Sequence, residues 1–175
     1  MFPKKTLKNI DVKDKTVLLR VDYNIPTENS KVESDYRIER SLKTIKALLK
    51  QNAKVVLLAH NGRPKGKDKT LSLKPMAERL SEFIEPVEFM DKANARQIRK
   101  SDSRIFMLEN LRFDPREKQN NDEFAKELAS LGDIFVQDAF GVVHRANTST
   151  AAICKYLHSV AGMLLEEEYT KLHLA

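Results

Sequence analysis

Short apolar runs recur along this chain with helix-like patterns between them, and that alternation restricts the fold more than any other feature. The runs fall at residues 17–19, 55–58, 87–90, 105–108 and 134–136. Each is too short for a helix, and all but 87–90 are rich in Val, Ile and Leu, which is how strands of a parallel sheet read when both their faces are covered.

The segments between the runs carry helical spacing. After Asp35, Ile38, Leu42, Ile45, Leu48 and Leu49 form one stripe that ends near Gln51 and Asn52. Ser72 can cap a second helix bearing Leu73, Met76, Ala77, Leu80 and Ile84. A short helix is expected within 91–100. Another is expected over 122–131, with Phe124, Leu128 and Leu131 inward and Gly132 as its stop. A further helix fits 150–156, and a last one runs from Leu164 with Leu165, Tyr169 and Leu172 as its apolar side. Five β-α alternations predict an α/β fold: a doubly wound parallel sheet flanked by helices on both faces, a Rossmann-like three-layer domain.

Composition fits one domain with a real core. The chain has 175 residues, 41% hydrophobic and 32% charged. Its net charge is +6, from 31 Lys and Arg against 25 Asp and Glu, which favours an anionic ligand without naming it. Cys154 is the single cysteine, so no intrachain disulfide can form and a reducing compartment is expected. Met1-Phe2-Pro3-Lys4-Lys5 begins no signal peptide, and no stretch reaches the ~18 apolar residues of a membrane span. A cytoplasmic protein is expected.

Polar and basic clusters follow four of the runs directly. They are Arg20-Val21-Asp22-Tyr23-Asn24, His60-Asn61-Gly62-Arg63, Glu109-Asn110-Leu111-Arg112, and the segment from Asp138 to Arg145. An open parallel sheet binds ligands beyond the carboxyl ends of its strands, so these clusters should meet at one edge. Asp22 and Asn24 alternate on one side and can bond a hydroxyl or carboxylate; an Asx turn before Pro26 is the alternative. Arg37 opens the first helix, where a cation opposes the helix dipole, which fits a ligand-facing role or a solvated one. Gly62 permits a turn presenting His60 and Arg63; the spacing of Gly62, Gly66 and Lys67 fails as a nucleotide P-loop. Arg112 and Arg145 complete a set of arginines that would repel one another unless an anion neutralised them. No metal constellation is evident.

On these same motifs, together with Asp35-Tyr36-Arg37-Ile38, the chain resembles the N-terminal domain of phosphoglycerate kinases in order and spacing. The resemblance implies that residues 1–163 form the 3-phosphoglycerate-binding domain and residues 164–175 begin the interdomain helix. A C-terminal nucleotide-binding domain would be absent from this chain. It implies a substrate-binding set of Asp22, Tyr23, Asn24, Arg37, His60, Asn61, Gly62, Arg63, Arg112 and Arg145. Arg37 would be the catalytic residue, steadying the phosphoryl group in flight. The family reaction belongs to glycolysis: it moves a phosphoryl group between 1,3-bisphosphoglycerate and ADP, giving 3-phosphoglycerate and ATP. Mg-ADP or Mg-ATP would bind the missing domain, leaving no cofactor in this half and no turnover by the fragment alone. A monomer is implied. Tyr23, Ala59, Asn61 and the pair Val142-Val143 depart from the usual residues of the family.

Other readings are a stand-alone metabolite-binding or regulatory domain and, from the charge, a nucleic-acid-binding module. The latter lacks a recognition-helix motif and an aromatic platform. A dinucleotide oxidoreductase is disfavoured because no G-x-G-x-x-G follows the first run.

Overall fold

The computed structural model describes residues 3–174. Met1, Phe2 and Ala175, on which the expectations for the two termini partly rest, lie outside the described residues. In chain order the elements are β1 (Thr16–Arg20), a hairpin of β2 (Thr27–Glu28) and β3 (Lys31–Val32), α1 (Tyr36–Lys50) and β4 (Lys54–Leu58). There follow α2 (Lys74–Phe83), β5 (Val87–Met90), α3 (Ala95–Lys100), β6 (Ile105–Leu108), α4 (Asp122–Ala129), β7 (Ile134–Gln137), β8 (His158–Ala161) and α5 (Met163–Leu174). Six strands make one parallel sheet in the order β5-β6-β4-β1-β7-β8.

The strand order explains the two helical layers. The steps from β1 to β4 and from β4 to β5 run one way along the sheet, and those through α3 and α4 run the other way. Crossovers of one hand that step in opposite directions lie on opposite faces. Alternate strand residues accordingly divide between two cores. Val17, Leu19, Val55 and Leu57 pack with Ile38, Ile45, Met76 and Leu80 of α1 and α2. Leu18, Val56 and Leu58 pack with Ile98, Phe124 and Leu128 of α3 and α4. Helix α5 lies against α1.

Five of the six strands are those the apolar runs announce. Strand β8 was not expected; it begins at exposed His158 and lies at the sheet edge. The backbone of residues 5 and 6 continues that edge: Ala161 N–H donates to Lys5 O at 2.9 Å, and Thr6 forms a parallel bridge to Ala161.

Several local expectations need correction. Residues 150–156 do not form an α-helix but a 3-10 turn over Ala152–Lys155, because Thr148, Ser149 and Thr150 spend their polar groups on loop contacts. Leu73 rather than Ser72 holds the N-cap position of α2; Ser72 Oγ still accepts from Lys74 N–H at 3.2 Å and donates to Glu109 Oε2 at 2.8 Å. Gly132 does not end α4 in a left-handed turn. A β-carbon there would lie 2.8 Å from the Thr16 carbonyl, so the residue is small because β1 passes close by. In α5 only Leu165 of the expected apolar stripe is buried; Leu172 is 63% exposed.

Candidate functional site

Adjacent parallel strands whose connections leave toward opposite faces open a crevice at their carboxyl ends. The order here makes two such crevices, between β1 and β7 and between β4 and β6. All four expected clusters follow these four strands.

The turn after β4 is built around Gly62, whose φ of +64° suits a residue without a side chain. Its N–H donates to Asn24 Oδ1 at 2.8 Å, and its carbonyl accepts from Arg112 Nη1 at 2.7 Å. Asn110 secures the same turn from β6. Its Nδ2 donates to the Asn61 and Leu71 carbonyls at 2.7 and 2.8 Å, and its Oδ1 accepts from Arg112 N at 3.1 Å. Three chain segments far apart in sequence are thereby tied at one point.

The guanidinium groups converge. Arg20, Arg112, Arg145 and Arg37 all act electrostatically on His60, and Arg145 and Arg63 both act on Arg112. Burial first, and these cations second, push the His60 imidazole down to about 2, so it is neutral at physiological pH. Arg112 is lowered by burial and then by Arg145. Its Nε is buried and bonds no acceptor among the described residues, so an anionic oxygen is the natural partner for it. Arg63 and Arg145 are exposed at the rim. Arg37 is ion-paired with Asp22, and Asp22 lies against the exposed Gly141, where a β-carbon would meet Oδ2 at 2.6 Å. Beside this pair, a cavity of about 310 Å³ is lined by Val21, Tyr36, Arg40, Phe140 and Leu164 among others.

Two expected members of the set occupy other roles. Tyr23 is fully buried in the core, with its hydroxyl 2.6 Å from Ser41 Oγ, and burial pushes its phenol well up; its side chain does not face the crevices. Asn61 is 4% exposed and supplies its backbone carbonyl to Asn110. Asp22, Asn24, Arg37, His60, Gly62, Arg63, Arg112 and Arg145 do come together around the two crevices. His60 is a neutral member rather than a cationic one.

Sequence reasoning passed over three buried groups. Arg20 is fully buried at the end of β1 and held near pKa 10, lowered by burial and supported by Glu117 and Asp22. Glu117 and Ser149 are also fully buried. An arginine placed directly after an apolar strand run was the available signal, since a cation continuing a strand covered on both faces needs partners. Glu117 and Ser149 lie in irregular segments with no pattern to mark them. Among the described residues no group of three or more His, Cys, Asp or Glu is placed to hold a metal ion. None of the described helices is long and apolar enough to cross a membrane.

This architecture recurs in known proteins. The phosphoglycerate kinase from Pelotomaculum thermopropionicum is 44% identical over 172 residues, covering 94% of this chain and 44% of the relative. That from Prosthecochloris aestuarii is 46% identical over 178 residues, again with 94% and 44% covered. Among solved structures, phosphoglycerate kinase from Coxiella burnetii superposes with a TM-score of 0.87 at 37% identity, covering 95% of this chain and 43% of that one. The enzyme from Pyrococcus horikoshii also gives 0.87, at 33% identity, with 97% and 45% covered. The chain thus spans less than half the length of these relatives. The family model described as phosphoglycerate kinase matches residues 7–175, and the chain belongs to the phosphoglycerate kinase family.

Proposed function

We propose that the site takes 3-phosphoglycerate or 1,3-bisphosphoglycerate, and that this chain supplies the glycerate half of a phosphoglycerate kinase as its N-terminal domain. The observation that carries the reading is the convergence of Arg37, Arg112 and Arg145 around neutral His60, with Arg63 acting on Arg112 beside them. Arginines in that density favour a small, highly charged anion, because each guanidinium can offer paired N–H donors to carboxylate or phosphate.

In this reading Arg63, Arg112 and Arg145 hold the phosphate that is not transferred, with His60 as an uncharged donor beside them. Asp22 and Asn24 bind the glycerate hydroxyl and carboxyl region. Arg37, released from Asp22, meets the carboxyl end and stabilises charge on the moving phosphoryl group. Phosphoryl transfer asks the protein mainly for alignment and charge neutralisation, which this set provides. The nucleotide, as Mg-ADP or Mg-ATP, is the co-substrate and binds a second domain; closure of the two halves brings the reactants together away from water. A monomeric, cytoplasmic glycolytic enzyme completes the reading.

Calorimetric titration of the 175-residue chain with 3-phosphoglycerate, at two salt concentrations, tests it. Saturable binding that is lost in an Arg63→Ala/Arg145→Ala variant is expected, with no heat from Mg-ATP. No binding at millimolar 3-phosphoglycerate overturns the substrate assignment. ATP formation from 1,3-bisphosphoglycerate and Mg-ADP by the purified chain overturns the half-site assignment.

A further inference from the structure

The fully buried Arg20 has one neighbour whose chemistry it dictates. Its Nη2 lies 2.8 Å from His60 Nδ1. A guanidinium has donors only, so Nδ1 must accept, and the single proton of the neutral ring must then sit on Nε2. Nε2 makes no hydrogen bond to a described residue, which leaves that N–H available to a ligand.

The cation is itself anchored. Arg20 Nε donates to Ser149 Oγ at 2.9 Å, and Nη1 donates to the Val21 and Leu58 carbonyls. Ser149 Oγ in turn donates to Glu117 Oε1 at 2.6 Å, and Ser149 N–H donates to Glu117 Oε2 at 3.0 Å. A buried charge persists only when it is paired and bonded. Here the countercharge reaches Arg20 through a hydroxyl that accepts from one partner and donates to the other. The loop carrying Ser149 follows β7, the segment carrying Glu117 follows β6, and Arg20 ends β1. The network therefore joins both crevices beneath the surface that the exposed arginines form.

We propose that Arg20, held to Glu117 through Ser149, is a positioning residue that locks His60 as a neutral imidazole with its proton on Nε2. His60 then offers the anion one directed, uncharged donor among guanidinium groups. A cationic ring in that place would add repulsion from Arg20, Arg112, Arg145 and Arg37, while Asp22 and Glu117 are the carboxylates that act on Arg20 and Arg112. The role of the Nε2 proton toward ligand rests on the glycerate reading of the site; the locked tautomer does not.

Long-range proton–nitrogen NMR correlation on the histidine-labelled 175-residue chain decides the matter. The unmodified chain should give a single Nε2–H pattern for His60, unchanged from pH 8 to pH 5. An Nδ1–H pattern, or an imidazolium at pH 6, overturns the proposal. The variant Arg20→Met/Glu117→Gln removes charge and countercharge together and should give mixed tautomers in a chain whose urea transition remains cooperative. If that variant does not fold, Ser149→Ala, which deletes only the connecting hydroxyl, supplies the readout. A visible Nδ1–H fraction is then expected, and a spectrum identical with the unmodified chain overturns the relay. Added 3-phosphoglycerate should shift the Nε2 resonance. Failure of that shift with the Nε2–H pattern intact counts against the glycerate reading and leaves the locked tautomer standing.

Discussion

Gly162 and Asp138 touch so closely that a β-carbon on the glycine would lie 2.2 Å from Asp138 Oδ1. The same oxygen accepts the N–H groups of Leu164 and Leu165 at 2.9 and 3.0 Å, so the carboxylate after β7 caps the first turn of α5. Glycine is required here by proximity and not by dihedral angle. Gly162→Ala should destabilise the chain by about 2–4 kcal/mol, combining a lost cap with overpacking. Urea denaturation should show a lower midpoint with an unchanged slope. In an Asp138→Gly background the same glycine change should cost about half as much or less, because both the carboxylate and the β-carbon of residue 138, which would lie 2.7 Å away, are gone.

Asn110 provides a second test, at the meeting of β4 and β6. Its side chain satisfies two carbonyls and one N–H, and it is 2% exposed. Asn110→Ala should cost about 2–4 kcal/mol by leaving buried backbone groups without partners. Binding of 3-phosphoglycerate should weaken in the folded variant, since the Gly62 turn and Arg112 lose their common tie. A titration showing unaltered affinity would detach Asn110 from the geometry of the site.

Tyr23→Phe separates core from site. Its hydroxyl meets Ser41 Oγ, which itself donates to the Ile38 carbonyl at 2.7 Å, so the phenol is the donor to serine. Removing it should cost about 1 kcal/mol of stability. Affinity for 3-phosphoglycerate should stay the same within error; a tenfold loss by calorimetry would return Tyr23 to the ligand.

The depressed His60 pKa has a sign that thermal or urea unfolding can read. The unfolded chain protonates this ring below pH 6.5, whereas the folded chain resists down to about 2. Its contribution is therefore complete above pH 6.5 and is lost as pH falls toward 2, by about 1.4 kcal/mol per pH unit. Comparing pH 7.5 with pH 5.5, the chain should lose about 1.4 kcal/mol through this ring. His60→Gln keeps an acceptor for Arg20 and should abolish that difference. Asp138 acts in the opposite sense, because burial raises its carboxyl and its contribution is lost as pH rises.

What could be read in advance follows the physics of each element. Strands covered on both faces must be apolar at successive positions, so β1, β4, β6 and β7 were visible as runs, whereas the edge strand β5 showed through Val87, Phe89 and Met90 around Glu88. Helix α1 was visible through its stripe, down to the left-handed Asn52 that follows it with φ of +60°. Strand β8 was not, because an edge strand beginning with His158 needs no such run. At the site, Arg63, Arg112 and Arg145 announced themselves by position after strands, the first and last exposed and Arg112 buried. Tyr23 was misplaced although strand alternation, which puts Asp22 and Asn24 on one side, already sends the residue between them to the other. Arg20, Ser149 and Glu117 could not be paired from sequence, since their contacts join segments up to 129 residues apart.

The bridge between Thr6 and Ala161 also bears on how the molecule is made. A chain synthesised from its N-terminus has β1 early, but β1 acquires its second neighbour only when β7 exists, and residues 5 and 6 acquire theirs only with β8. The central strand thus waits with one edge open while more than a hundred residues are added, the situation in which nascent chains aggregate or recruit holding factors. Stopping synthesis before residue 161 would therefore remove more than a tail, because it would strand the beginning of the chain without the partner that its last strand provides.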